Sequence, residues 1–203
     1  MEGISFGDHL CSIYQNKVQQ FSQLVPFILE GLQQNQKCIY IQDSNSQEEI
    51  IHQFNQFGID LGPYLTSKQM EIVQKDLVYL QNGIFDKNIV ESSIKGIVER
   101  ALADGYTGIR GTAEMDWAGS ISNTKNLLDY ESELKNIFSN LAVTSICQYN
   151  ELSFSKDILK DIVLTHPFVI IYGKLYTNKY FNSEANALSS DSYETVINTI
   201  IEE

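Results

Sequence analysis

The sequence contains no long apolar segment and few cysteines. No run approaches the ~18 consecutive apolar residues of a membrane-spanning helix, and the N-terminus lacks a basic flank followed by an apolar stretch. We therefore expect neither a transmembrane segment nor a secretory signal. The three cysteines, Cys11, Cys38 and Cys147, lie far apart and have no Cys-x-x-Cys spacing. This usage is typical of reduced thiols and predicts a cytoplasmic protein without disulfides.

Positive charge is also scarce. The 203 residues contain 14 Lys and Arg against 26 Asp and Glu, which gives a formal net charge of −12. No Lys/Arg cluster compensates for this excess, and an acidic surface repels a phosphate backbone, so we expect no direct binding to nucleic acid. Length and composition are those of an ordinary soluble protein with one medium-sized domain.

A glycine-rich phosphate loop is absent from the turn that follows the first predicted strand. Residues 12–23, SIYQNKVQQFSQ, contain neither a glycine nor a Gly-Lys-Ser/Thr triplet. A phosphate loop needs glycines so that backbone N–H groups can approach the phosphates, and here the bulky Tyr14 takes that place. We expect no nucleotide cofactor and no ATP hydrolysis at this turn.

Strand-like and helix-like segments alternate along the chain, and residues 75–87 are predicted as a loop. Strands are predicted over 9–14, 38–43, 70–74, 107–115, 143–149 and 168–173. Helices are predicted over 17–34, 46–58, 88–105, 123–140 and 155–165, with Asn16 and Ser46 as caps. Repeated strand–helix–strand units predict an α/β fold with a mainly parallel sheet covered by helices on both faces.

The C-terminal residues differ in composition from the rest of the chain. Residues 182–191 are polar and rich in small residues, which is typical of a linker, so we divide the chain into a domain, 1–181, and an extension, 182–203. The extension ends in a helix, predicted over 192–203 without a cap. It is too apolar for a free end, which predicts docking, dimerisation or continuation into another module. Its apolar face carries Val196, Ile197, Thr199, Ile200 and Ile201.

Several motifs resemble a known family. Residues 38–74 are similar to the second and third strands of a RecA-type ATPase of the KaiC kind, and residues 7–181 resemble the MEDS sensory domain of methanogens, methylotrophs and a dichloromethane-responsive regulator. The matching marks, in chain order, are His9-Leu10-Cys11 with Tyr14, Pro26-Phe27 before Gly31-Leu32, Cys38-Ile39-Tyr40, Arg110-Gly111-Thr112 through Glu114-Met115 and Trp117, Tyr130-Glu131, Cys147-Gln148-Tyr149 and Thr165-His166-Pro167.

The resemblance implies a three-layer RecA-like fold that has lost nucleotide binding. It implies a sensor of small hydrocarbon derivatives, such as methylated or halogenated one-carbon compounds, that acts beside a histidine kinase or a transcription regulator. From the residues themselves we expect no enzyme activity and no cofactor. A homodimer is a further expectation, based on the apolar terminal helix.

The ends of the predicted strands supply the candidate site. Ligands of parallel sheets bind beyond the carboxyl ends of the strands, and residues two apart on a strand share a face. A pocket with an aromatic wall and a few polar anchors is the expected composition of a small-ligand site. The candidate residues are His9, Cys11, Tyr14, Arg110, Glu114, Trp117, Cys147 and Tyr149.

Other interpretations of these residues stay open. Strand cysteines often only fill a core, most clearly Cys38, and Arg110 could pair with Glu114 for purely structural reasons. His52 fits a surface helix, and His166 fits a structural role at a helix end.

Two chemical alternatives also remain. A metal site could use His9, Cys11 and Cys147, although the spacing is not a standard zinc pattern and a fourth ligand is unassigned. A Cys/His nucleophile pair would need an oxyanion site that the sequence does not supply. A scaffold or dimerisation domain that binds no ligand is the remaining alternative to a sensor.

Overall fold

A seven-stranded sheet forms the centre of the protein in a computed structural model, which describes residues 3–81, 84–120, 124–181 and 191–202. Its strands are β1 (His9–Tyr14), β2 (Lys37–Gln42), β3 (Met70–Gln74), β6 (Ile109–Glu114), β7 (Val143–Asn150), β8 (Phe168–Ile171) and β9 (Lys174–Thr177). Two further strands, β4 (Leu80–Gln81) and β5 (Ile84–Phe85), form a separate two-stranded sheet. The helices are α1 (Lys17–Gln33), α2 (Gln47–Gln56), α3 (Gly62–Thr66), α4 (Lys87–Ala103), α5 (Thr124–Phe138), α6 (Lys156–Leu164) and α7 (Tyr193–Ile201).

The sheet has the strand order β3-β2-β6-β7-β1-β8-β9. All neighbouring strands in it are parallel except β8 and β9, and helices cover both faces. The predicted α/β architecture with a mainly parallel sheet is therefore confirmed. The strands and helices that were predicted begin and end within two residues of the observed bounds, because strong apolar periodicity and capping residues mark them.

Side-chain caps fix where several helices begin. The Asn16 side chain accepts a hydrogen bond from the backbone N–H of Gln19, and Ser46 accepts one from Glu49, as the sequence predicts. The terminal helix α7, predicted as uncapped, also begins with a cap, because Ser192 accepts from the N–H of Thr195. Among the described helices, none has the length and apolar character needed to cross a membrane.

The sheet separates two apolar cores. The first core, on what we call the α1 face, packs α1, α2 and α3 against the sheet around Phe21, Tyr40 and Phe54. The second, on what we call the α5 face, packs α4, α5, α6 and α7 against the other side. Residues on one strand alternate between the two faces, so Leu10 points to the α1 face and Cys11 to the α5 face.

Four short elements of the described residues, α3, β4, β5 and β9, were not predicted. The helix α3 lies in a segment without strong periodicity, and the hairpin of β4 and β5 lies within residues 75–87, which the sequence predicts as a loop. The edge strand β9 follows β8 through a two-residue turn, Tyr172–Gly173, in which both residues have positive φ. A Cβ at Gly173 would lie 2.5 Å from Ser22 Oγ, so a glycine is needed there for both backbone and space.

The terminal helix packs on its own chain. Tyr193, Val196, Ile197 and Ile200 are buried in the α5-face core, and α7 contacts α6 and β9. Most of the apolar face that suggested docking is thus covered within the chain, while Ile201 stays exposed. Residues 182–190 of the predicted linker lie outside the described residues.

Candidate functional site

The sheet divides the eight side chains that were predicted to surround one pocket. His9, Cys11, Trp117, Cys147 and Tyr149 lie on the α5 face. Tyr14, Arg110 and Glu114 lie on the α1 face. The prediction that all eight line a single cavity is therefore wrong, because the backbone of the sheet lies between the two groups.

The register between strands explains this division. In a parallel sheet, paired residues project to the same face, and Cys11 pairs with Cys147, which in turn pairs with Ala113. Ala113 therefore faces the cysteines, and its neighbour Glu114 projects to the opposite face. Arg110 and Glu114 lie on one face, as an even spacing along a strand requires, but that face is not the one of His9.

Arg110 binds helix α1 and not Glu114. Its Nη1 donates to Glu30 Oε2 at 2.8 Å and to the Phe27 carbonyl at 3.1 Å, and its Nε donates to Gln36 Oε1 at 2.7 Å. The guanidinium also lies 4.8 Å from the ring centre of Phe27. Arg110 thus joins the start of β6 to α1, and the suggested pairing with Glu114 at the other end of the strand is wrong.

Glu114 holds the loop that follows β2. Its carboxylate accepts hydrogen bonds from Tyr40 Oη at 2.6 Å, from the backbone N–H of Asp43 at 2.8 Å and from that of Asn45 at 3.0 Å. The Ser44 hydroxyl at 3.2 Å and the Asn45 amide add further donors. This fully buried carboxylate is saturated with donors, which is typical of a structural network.

The turn from β1 to α1 is short and lies in acidic surroundings. Only Gln15 and Asn16 separate the end of β1 from the start of α1. Tyr14 is buried beside this turn, and its burial, together with the nearby Asp116 and Glu114, raises the pKa of its phenol. A neutral phenol and two carboxylates thus occupy the end of β1.

A polar cluster lies buried in the α5 face. His9, Glu131 and His166 are each at most 3% exposed, yet their ligand-type atoms meet. The two Nε2 atoms lie 3.3 Å apart, and each is 3.4 Å from Glu131 Oε2. Cys147 Sγ lies 3.2 Å from His9 Nε2, so the thiol borders the cluster.

The outer atoms of this cluster are fixed by hydrogen bonds. Tyr149 Oη donates to Glu131 Oε1 at 2.5 Å, and His166 Nδ1 donates to the Ile162 carbonyl at 2.7 Å. Glu131 Oε2, in contrast, has no hydrogen-bond partner although it is fully buried. The orphan oxygen points at the two imidazoles.

Burial and neighbouring charges separate the two histidines. Burial, and then the nearby His166, lower the pKa of His9 well below its usual range, so its imidazole is neutral at pH 7. Burial alone would also lower the pKa of His166, but Cys11 and Glu131 outweigh it and raise that pKa to about 10. Burial, followed by Glu131, raises the pKa of Cys147, which keeps its thiol protonated. The cluster can therefore hold a proton or a cation on the His166 and Glu131 side.

A cavity of about 350 Å³ adjoins this cluster on the same face of the sheet. Its walls are mainly apolar side chains from β2, β3, β6, α4 and α5, and Cys147 belongs to its lining. The exposed Leu77, Arg100 and Asp104 also line it, so the cavity reaches the surface there. The apolar part of the lining is formed by Ile39, Ile41, Val73, Val78, Tyr79, Ile94, Ile97, Val98, Ala101, Ile109, Tyr130, Leu134, Phe138 and Val143.

The remaining predicted aromatic residues pack around the cluster and the cavity. The Trp117 ring stacks on Tyr79, with centroids 5.1 Å apart, and does not line the cavity itself.

Cys38, predicted as a core residue, is buried on the α1 face, and burial raises its pKa to about 12. His52 is exposed on α2, as predicted.

Sequence reasoning missed Glu131 and gave His166 only a structural role. A signal existed for Glu131, because it stands within the apolar stripe of α5, between Leu127 and Leu134, where a carboxylate is costly unless partnered. His166 follows the end of α6, and its ring turns inward and is fully buried. Only the fold brings both side chains to His9.

Comparisons with known proteins agree with this fold. Residues 8–167 match the family described as MEDS, "MEthanogen/methylotroph, DcmR Sensory domain". The structure is similar to flagellar accessory protein FlaH from Methanocaldococcus jannaschii, with a TM-score of 0.57 and 14% identity over 85% of this chain and 76% of that chain. It is also similar to a KaiC-like protein from Pyrococcus horikoshii OT3, with a TM-score of 0.56 and 15% identity over 82% and 71% of the two chains. At these identities the likeness concerns the fold, and the predicted RecA-like architecture is confirmed. No curated protein matches the chain.

Proposed function

The chain belongs to the MEDS family of sensory domains, and from this premise we propose that it senses a small, mainly apolar molecule in the cavity of the α5 face. The proposal makes the domain a binding module and not an enzyme. The observation that carries it is the cavity itself, which has the size and the apolar lining of small-ligand pockets.

The volume of the cavity indicates the size of the ligand. A dry apolar cavity of roughly 150 Å³ holds one benzene molecule. At about 350 Å³, this cavity exceeds what a single methylated or halogenated one-carbon compound fills. We therefore extend the expected hydrocarbon derivatives to molecules of about two benzene rings, with one-carbon compounds as weaker ligands.

The same proposal includes the loss of nucleotide binding. The two-residue turn between β1 and α1 leaves no glycine-rich loop to surround phosphates, and Tyr14, Glu114 and Asp116 occupy the adjacent space. Carboxylates at this position disfavour a polyphosphate. These features support a nucleotide site that has become structural.

The output of the sensor is proposed from the family alone. A sensory domain needs a signalling partner, and a histidine kinase or a transcription regulator remains the proposed one. A homodimer remains a proposal too, but α7 gives it little support because most of its apolar side is buried within the chain.

Filling the cavity tests the proposed function. Val98 lines the cavity from α4, and Leu102 lies one turn further along the same helix, is 47% exposed and is absent from the lining. We expect benzene to raise the melting temperature of the parent protein, and dichloromethane to do so less, through linkage of binding to folding. Val98→Phe should abolish the benzene shift and keep or raise the melting temperature without ligand, whereas Leu102→Phe should retain the shift.

Two results would contradict the proposal. One is the absence of any shift with either compound in the parent protein. The other is an equal benzene shift in Val98→Phe and Leu102→Phe, because binding would then not involve the cavity.

A further inference from the structure

We propose that His9, Glu131 and His166 form a tetrahedral site for a divalent transition-metal ion, zinc in the first place. The fourth position lies on the side of Cys147, where it can take this thiolate or a small exogenous group. This site goes beyond the proposed function, because a purely apolar sensor cavity requires no metal.

The donor set has the composition of a zinc site. Two imidazole nitrogens and one carboxylate oxygen converge from β1, α5 and the residue after α6. Two histidines and one glutamate, with a fourth position left open, are a known ligand set for zinc. The cysteine set considered from the sequence is adjacent, since Cys147 touches His9 and Cys11 interacts with His166.

The spacing of the donors fits a tetrahedral ion. A zinc ion with bonds of about 2.0–2.1 Å places neighbouring ligand atoms about 3.3–3.4 Å apart. The three observed separations are 3.3, 3.4 and 3.4 Å. An octahedral magnesium ion with bonds of about 2.1 Å would need neighbouring atoms only about 3.0 Å apart. The triangle thus has the spacing of a tetrahedral zinc site.

The hydrogen bonds around the donors orient them inward. His166 donates its Nδ1 hydrogen to a backbone carbonyl, so its Nε2 is the atom directed at the cluster, and a metal ion would bind there in place of the Nε2 proton. Tyr149 binds one Glu131 oxygen and leaves the other without a hydrogen bond. Metal-binding histidines and carboxylates are commonly held in this manner by a second layer of groups.

The contacts of Glu131 Oε2 with the two imidazoles are long. A buried carboxylate oxygen without a hydrogen bond is costly, and Glu131 Oε2 lies 3.4 Å from both imidazoles, beyond ordinary hydrogen-bond length. One divalent ion at the centre would bind this oxygen and both Nε2 atoms and would compensate the carboxylate charge. It would also lie beside the cavity wall formed by Cys147.

The test is metal binding by the whole chain. Chelation and dialysis first remove any metal, and the chain is then loaded with Zn²⁺ or Co²⁺. We expect one equivalent of Zn²⁺ per chain by elemental analysis, and Co²⁺ should give the intense visible absorption of tetrahedral coordination. Glu131→Gln and His166→Asn should each weaken Zn²⁺ binding at least a hundredfold. His52→Asn, which removes the exposed histidine of α2, and Cys38→Ser, which removes the buried thiol of the α1 face, should leave Zn²⁺ binding unchanged.

The circular dichroism of each variant is compared with the parent, and the Co²⁺ spectrum of the parent gives a readout that does not depend on variants. Absence of stoichiometric metal in the folded parent would overturn the site. Equal Zn²⁺ affinity in His166→Asn and His52→Asn would do the same. A weak, octahedral-type Co²⁺ spectrum would overturn the tetrahedral geometry. Benzene shifts are measured separately, so this result and that for the cavity stay distinguishable.

Discussion

Two fully buried glutamates, one on each face of the sheet, have opposite environments. Glu114 on the α1 face accepts hydrogen bonds from the loop after β2 and from Tyr40, so both of its oxygens are satisfied. Glu131 on the α5 face accepts one hydrogen bond, from Tyr149, and its other oxygen has none. Both side chains are 0% exposed, so burial does not distinguish them.

The difference separates a structural carboxylate from a candidate ligand. Donors that saturate a buried carboxylate stabilise the loop that supplies them, and no binding capacity remains. A buried carboxylate whose second oxygen lacks a hydrogen bond and meets two imidazoles retains the capacity to bind a cation. The α1 face has thus become a support, and the α5 face carries both the cavity and the polar cluster.

The largest expected effect is the loss of stability when Glu114, the buried glutamate of the α1 face, is replaced. Glu114→Gln replaces an acceptor by an amide and leaves donors of the Asp43–Asn45 loop unpaired, so we expect a loss of about 3 kcal/mol or more. Glu131→Gln, measured with a chelator present, should cost less, because the amide oxygen can still accept from Tyr149 and His166, whose pKa Glu131 helps to raise, can become neutral. Urea unfolding of both variants measures the two values. Equal losses would show that the two carboxylates have the same role.

A smaller effect is expected from the two tyrosines that bind these glutamates. Tyr40→Phe and Tyr149→Phe each remove one hydroxyl donor to a buried carboxylate, with distances of 2.6 and 2.5 Å. Each should cost about 1–2 kcal/mol of stability. Only Tyr149→Phe should weaken Zn²⁺ binding, by about tenfold or more, because it loosens a ligand of the proposed site. Matching zinc affinities of the two variants would argue against that site.

The smallest expected effect is that of adding a nucleotide to the protein. Millimolar Mg-ATP should neither change the melting temperature nor be hydrolysed, because the turn after β1 lacks a phosphate-binding loop and lies among carboxylates. Thermal unfolding and phosphate release measure this. A binding isotherm in the micromolar range would contradict the proposed loss of nucleotide binding.

Much of the fold follows from the sequence alone. Apolar periodicity and the caps Asn16 and Ser46 predict the main helices and strands, and their alternation predicts the parallel sheet. Elements with only a few residues, such as β9, escape because a short strand has too few positions for a pattern. The apolar stripe of α7 predicts burial correctly, but not that its partner is its own domain.

The candidate site, like the fold, was predictable from the sequence only in part. The sequence by itself determined which residues of one strand share a face, because side chains alternate along a strand with a fixed period of two. The tertiary structure alone decided which face of one strand matches which face of the next, since the register of Cys11, Cys147 and Ala113 depends on packing. It also decided the partners of His9, because His166 is 157 residues away in the chain and meets it only when α6 returns to the sheet. Local patterns cannot encode such a contact, which arises from burying two helix faces against one sheet.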